Sequence, residues 1–139
     1  MRKHSAGVTL MELMIVMVVG ILAAIAYPSY RQQILKSNRS EAKVGIQQMV
    51  QTLERCYTRS NNYNNCVGVC ADCVTSPYTT PNGYYRIVAT VTAGTPDQYS
   101  LVATAIGQQA DDTKCASFSI NEADVKDSTG TAGPVICWK

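Results

Sequence analysis

Histidine is almost missing from this chain of 139 residues: His4 is the only one. Catalysis by a histidine base therefore has no candidate away from the N-terminus. Charge is also sparse, at 16 % of residues against the usual ~25 %. Twelve basic and ten acidic side chains leave a formal +2, so no strongly acidic or basic partner is implied. The glycines lack the Lys-Ser/Thr of a phosphate loop, and there is no nucleophile elbow and no pair of carboxylates on a defined scaffold. A chain of this length makes one domain, which excludes a large multidomain enzyme. At 46 % apolar residues it is no candidate for disorder.

What the sequence does have begins at Val8. Val8–Tyr27 is a run of twenty residues broken only by Thr9, Glu12 and Gly20. At ~1.5 Å per residue a helix of that length spans ~30 Å, the thickness of a bilayer's hydrocarbon core. Arg2 and Lys3 precede it, so the positive-inside rule predicts a cytoplasmic N-terminus and an exported bulk. Six cysteines in so short a chain agree with an oxidising compartment. Ala23-Ala24-Ile25-Ala26 could be read as a secretory cleavage site, but the helical pattern runs on past it. Glu12 has two readings. It could be a carboxylate snorkelling near the membrane edge, or one that needs a cation at its own depth. No Lys or Arg lies between Lys3 and Arg31, so only an α-amino group freed by cleavage nearby could supply one.

Helical patterning continues beyond the span. Ser29–Arg59 contains no proline and a single glycine, Gly45, and Ile46, Met49, Val50, Leu53 and Tyr57 recur at helical spacing. Six basic and two acidic residues give this stretch a local +4, mostly off the apolar stripe. The pattern predicts one helix from Thr9 to about Thr58, ~75 Å long and kinked at Pro28, with an apolar first half and an amphipathic second half that needs a cover. The Asn-rich run Ser60–Asn65 should end it. Cys66–Asn82 reads as a connecting loop. Tyr84–Thr92, Gln98–Ile106 and Cys115–Ile120 read as strands, with a turn at Ala93–Asp97 and polar residues from Gly107 to Lys114. Asp127–Gly133 reads as a loop, and Val135–Trp138 as a fourth strand or an extended tail. The expected fold class is α+β, a long helix packed on a three- to four-stranded antiparallel sheet. Asp111-Asp112 is read as a turn and not a metal site. The sequon Asn38-Arg39-Ser40 falls on a helix and is treated as chance.

Gly7-Val8-Thr9-Leu10-Met11-Glu12-Leu13-Met14-Ile15-Val16, followed by Gly20-Ile21-Leu22-Ala23-Ala24-Ile25-Ala26-Tyr27-Pro28, resembles the N-terminus of type IV pilins. Tyr99-x-Leu101-x-Ala103-x-Ala105-x-Gly107, Gln109-Ala110-x-Asp112, Lys126-Asp127-Ser128-x-Gly130 and Cys137-Trp138 are similar to PilE-type minor pilins, as is Leu53-Glu54-Arg55-x-Tyr57-Thr58. The resemblance implies the pilin fold and a four-part organisation. Residues 1–7 would be a leader, 8–28 the membrane and filament-core half of the helix, 29–59 its amphipathic half, and 60–139 the head. It also implies cleavage between Gly7 and Val8 by a prepilin peptidase, N-methylation of Val8, and a Glu12 that meets the terminal amine of a neighbouring subunit. Such a charge pair penalises any register that leaves either group alone. Gly20 and Pro28 would bracket a stretch of helix able to melt on assembly. Two positions depart from the family pattern: Val8 stands where Phe is usual, and one residue fewer separates Glu12 from Gly20, a rotation of ~100° for the helix beyond. Cleavage would leave 139 − 7 = 132 residues with no histidine and a formal side-chain charge of 2 − 2 = 0.

In the family, cysteines matching Cys115 and Cys137 close a C-terminal loop, so the resemblance implies that pair. Joining Cys56 to Cys66 would pin the helix end, which leaves Cys70 with Cys73, one of the fifteen pairings that six cysteines allow. The rivals are zinc held by Cys66, Cys70, Cys73 and one more thiol, and a thioredoxin-like CxxC. The first suits a reducing compartment and the second needs a βαβ context, so no metal or cofactor is expected. The expected function is structural and not enzymatic: a pilus subunit, more minor than major, serving pilus assembly, twitching motility or adhesion. Expected partners are other pilin subunits, the prepilin peptidase and the inner membrane before assembly. The expected destination is an extracellular fimbrium. The alternatives are a DNA receptor in competence and a type II secretion pseudopilin. From Ser60 onward four basic residues face seven acidic ones, a net −3, which does not favour DNA.

Overall fold

The computed structural model describes residues 7–68, 70–92 and 98–139. Met1–Ala6 of the expected leader and the expected turn at Ala93–Asp97 lie outside them. Helix α1 runs Leu10–Ser60 with Pro28 inside it. Proline has no N–H to give the carbonyl of Ala24, so that helical bond is missing. The helix stops where Asn61 turns left-handed, at φ 52°, and its N–H bonds the carbonyl of Tyr57 at 2.7 Å. Asparagine tolerates that conformation better than most residues.

Contacts divide the chain into residues 1–34 and 35–139. In the second unit α1 presents Leu35, Ala42, Ile46, Met49, Leu53 and Cys56 as its buried face. Five antiparallel strands lie in sequence order: β1 (Tyr78–Thr79), β2 (Tyr85–Val91), β3 (Tyr99–Ala105), β4 (Ser117–Asn121) and β5 (Lys126–Thr129). Register sets Ile87 opposite Ala103 and Ala103 opposite Phe118, so one row of side chains points to one face. The next row sets Leu101 against Ile120. With the helix stripe these residues make one hydrophobic core, each large side chain contributing about 1.5–3 kcal/mol by its burial. At Gly45 a Cβ would stand 2.7 Å from Ile87 Cδ1, so the absence of a side chain lets α1 approach β2 closely.

The sheet has five strands where three or four were expected, and the difference lies at its edges. β1 is only two residues long, inside the expected loop Cys66–Asn82. β5 is polar, overlaps the expected loop Asp127–Gly133 at Asp127–Thr129, and is recognisable only through its pairing with β4. Val135–Trp138 is no strand. Pro134 opens a helical turn, α2 (Pro134–Cys137), after Gly133 at φ 77°. The polar stretch after Gly107 contains a 3-10 turn, Gly107–Asp111. β4 begins two residues after Cys115, and before it Thr131 and Ala132 donate to the carbonyls of Thr113 and Lys114.

Candidate functional site

The first unit is an apolar helix whose side chains no other part of the described chain covers. Val8 is 67 % exposed and Leu10 87 %, and no residue from Gly7 to Ile34 is buried. This helix is long and apolar enough to cross a membrane. Thr9 stands just before it, and its Oγ1 accepts the N–H of Glu12 at 3.3 Å. Thr9-x-x-Glu12 therefore has the spacing of a capping box, with an acidic residue in the first turn where the helix dipole favours one. Gly7, Val8 and Glu12 lie within this one start, whereas Gly20 and Pro28 follow further along the same helix. A Cβ at Gly7 or Gly20 would meet nothing within 4 Å.

The second unit holds a polar network that the sequence reading missed. Arg39 sits on the buried face of α1, in step with Leu35, Ala42 and Ile46. It grips Asp112 with both ends of its guanidinium: Nε to Oδ2 at 2.6 Å and Nη2 to Oδ1 at 2.8 Å. The two side chains are 9 % and 2 % exposed. Gln109, fully buried, donates from Nε2 to the Leu35 carbonyl (3.0 Å), the Tyr85 hydroxyl (3.1 Å) and Asp112 (3.3 Å). Asn38 donates to Gln109 Oε1 at 3.1 Å. The hydrogen bond to Asp112 raises the Arg39 pKa further against the opposing pull of burial. Burial pushes the Tyr85 phenol up to about 12. A basic residue at an i, i+3, i+7 position of an apolar stripe was the available sign, and Asp112, read as a turn residue, gave none.

The second unit's other polar features are tied into its packing. Tyr63 and Tyr99 both donate to Glu54 Oε1, at 2.9 and 3.2 Å, and burial first, with Glu54 adding to it, raises both phenols. A recess of about 490 Å³ lies between α1 and the turn after β1. Across it Glu41 receives the backbone N–H of Asn82 at 3.0 Å and its Nδ2 at 2.9 Å. Burial opposes ionisation of Glu41, but bonds from Thr80 and Asn82 outweigh it and lower the pKa. The cysteines form three disulfides, Cys56–Cys66, Cys70–Cys73 and Cys115–Cys137. Gly130, at φ 127°, lets the end of β5 lie against Lys114, where a Cβ would stand 2.6 Å from the carbonyl carbon. Among the described residues no group of three or more His, Cys, Asp or Glu is placed to hold a metal.

Comparison with known proteins gives two family matches. Residues 28–119 match the family described as "Type IV minor pilin ComP, DNA uptake sequence receptor". Residues 2–27 match the prokaryotic N-terminal methylation motif. Two sequences of the type IV major fimbrial protein FimA from Dichelobacter nodosus are each 39 % identical over 67 residues, 48 % of this chain and 42 or 43 % of theirs. The chain thus spans less than half the length of these curated relatives. A solved type IV pilin from Shewanella oneidensis is similar at 24 % identity and a TM-score of 0.43, covering 69 % of this chain and 89 % of that one.

Proposed function

The chain belongs to the type IV minor pilin family, and on that premise we propose how its parts serve a pilus. The precursor sits in the inner membrane through residues 8–28, is cut between Gly7 and Val8 by a prepilin peptidase, and is methylated on the new terminus. The helix then enters the fibre core, where the Glu12 carboxylate meets the terminal amine of a neighbouring subunit, and the head stays outside. The observation that carries this reading is the uncovered apolar helix, closed at its start by Thr9 and carrying Glu12 as the only charge before Arg31. Gly20, and the backbone bond missing at Pro28, would ease local melting on assembly. No catalytic constellation enters the proposal.

Mass spectrometry of the assembled protein tests the processing step. The mature chain should begin at N-methyl-Val8, and a Gly7→Val precursor should stay uncut in the membrane. A Gly7→Val chain of normal mature mass contradicts the proposal.

A second reading, that the pilin also receives DNA, is favoured by the family match over residues 28–119. The head beyond Ser60 is net negative, so phosphate contact would rest on basic residues of α1 such as the exposed Lys36 and Arg55. The detergent-solubilised mature chain should then bind duplex DNA with an affinity that falls steeply with salt. Lys36→Gln should reduce that slope by about one unit. No binding at near-physiological salt would leave the structural role alone.

A further inference from the structure

Two of the three disulfides lie in the core and one lies at the surface. Cys56, Cys66, Cys115 and Cys137 are at most 7 % exposed. Cys70 is exposed and Cys73 half-buried. The Cys70–Cys73 bond encloses only Ala71 and Asp72, and other bonds hold the base of its loop. Gly68 donates to the Val74 carbonyl at 3.1 Å and Val74 to that of Cys66 at 2.8 Å, and Val67 bridges to Val74. Asp72 accepts from the Arg59 guanidinium of α1. Opening this disulfide therefore leaves the loop anchored, whereas opening either of the others exposes core. An acceptor also waits for the sulfur that would be released: Cys73 Sγ lies 3.2 Å from the carbonyl oxygen of Asn65.

We propose that Cys70–Cys73 is a thiol-exchange site that takes a small aliphatic thiol, such as glutathione or free cysteine, at Cys70 Sγ. The incoming thiolate attacks the exposed sulfur and forms a new S–S bond to it. The Cys70–Cys73 bond breaks, and its electron pair goes to Cys73 Sγ. That thiolate takes a proton from water, and the resulting S–H donates a hydrogen bond to the Asn65 carbonyl oxygen. The incoming thiol is oxidised to its half of the mixed disulfide and Cys73 is reduced to a thiol, so no further oxidant or reductant is needed. No thioredoxin-like fold is involved: selectivity comes from exposure and from a loop that keeps its shape when the bond opens.

The test is to incubate the native full chain with biotinylated glutathione, trap timed aliquots with excess N-ethylmaleimide at neutral pH before acidifying, and map every cysteine by peptide mass spectrometry. Glutathione should appear on Cys70 and maleimide on Cys73, at least tenfold ahead of any other cysteine. Even labelling of all six, first labelling in the core pairs, or no labelling where an exposed control disulfide is opened would each overturn the proposal. Single variants test its direction. With Cys73→Ser, Cys70 should capture oxidised glutathione at least tenfold faster than Cys73 does in Cys70→Ser. Equal rates would remove Cys70 as the point of attack.

Discussion

Asp112→Ala should destabilise the head by about 3–5 kcal/mol, because it leaves the Arg39 guanidinium buried without its partner. At a urea slope of about 1–2 kcal/mol/M this is a midpoint lower by roughly 1.5–5 M. Replacing both partners by apolar residues, Arg39→Leu with Asp112→Leu, should recover most of that loss, since no charge is then left behind the sheet. Gln109 loses one of its three acceptors in either case, so recovery will fall short of complete by about 1 kcal/mol. Urea melts of the three chains decide it. A single variant within ~1 kcal/mol of the parent would mean that the ion pair does not secure the 3-10 turn to α1.

Glu12→Ala should be processed and inserted as well as the parent, yet its content in fibres should fall by more than tenfold. A carboxylate in the first turn of a membrane-spanning apolar helix still carries an insertion cost, so removing it favours the membrane-held state. The same change removes the charge proposed to recognise a neighbouring amine. A loss of about 2 kcal/mol at that contact is a factor of about 30 in the association constant. Quantitative blotting of sheared fibres against membrane fractions reads the ratio. Glu12→Gln should fall with Glu12→Ala, because an amide keeps the shape and loses the charge. Parental fibre content in both variants would remove Glu12 from assembly.

The helix and the two long strands were legible because each repeats its pattern over seven residues or more, whereas the inward face of β3 was left open between Leu101 and Val102. Tyr99, Leu101 and Ala103 alternate clearly, and all three are buried. The edges were not legible. Tyr78–Thr79 is too short to hold a period, and Lys126–Thr129 has no apolar face of its own. Val135-Ile136 suggested a strand through β-branched composition, but Pro134 at the first helical position and Gly133 before it decided for a turn. In the candidate site, the helix start was readable from Thr9, Glu12 and the apolar run. The Arg39–Asp112 pair joins residues 73 apart in sequence, so its charges cancel only once the chain is folded.

The two outermost strands also decide how copies of this protein can avoid sticking. β1 offers only two residues of open backbone, and the rim at β5 carries exposed Lys126 and Asp127, with the Asp127 carbonyl already occupied by the Trp138 indole at 2.8 Å. Neither rim can template a further strand over any useful length. In the proposed fibre, where copies stand at high local density, these rims guard against amyloid-like stacking.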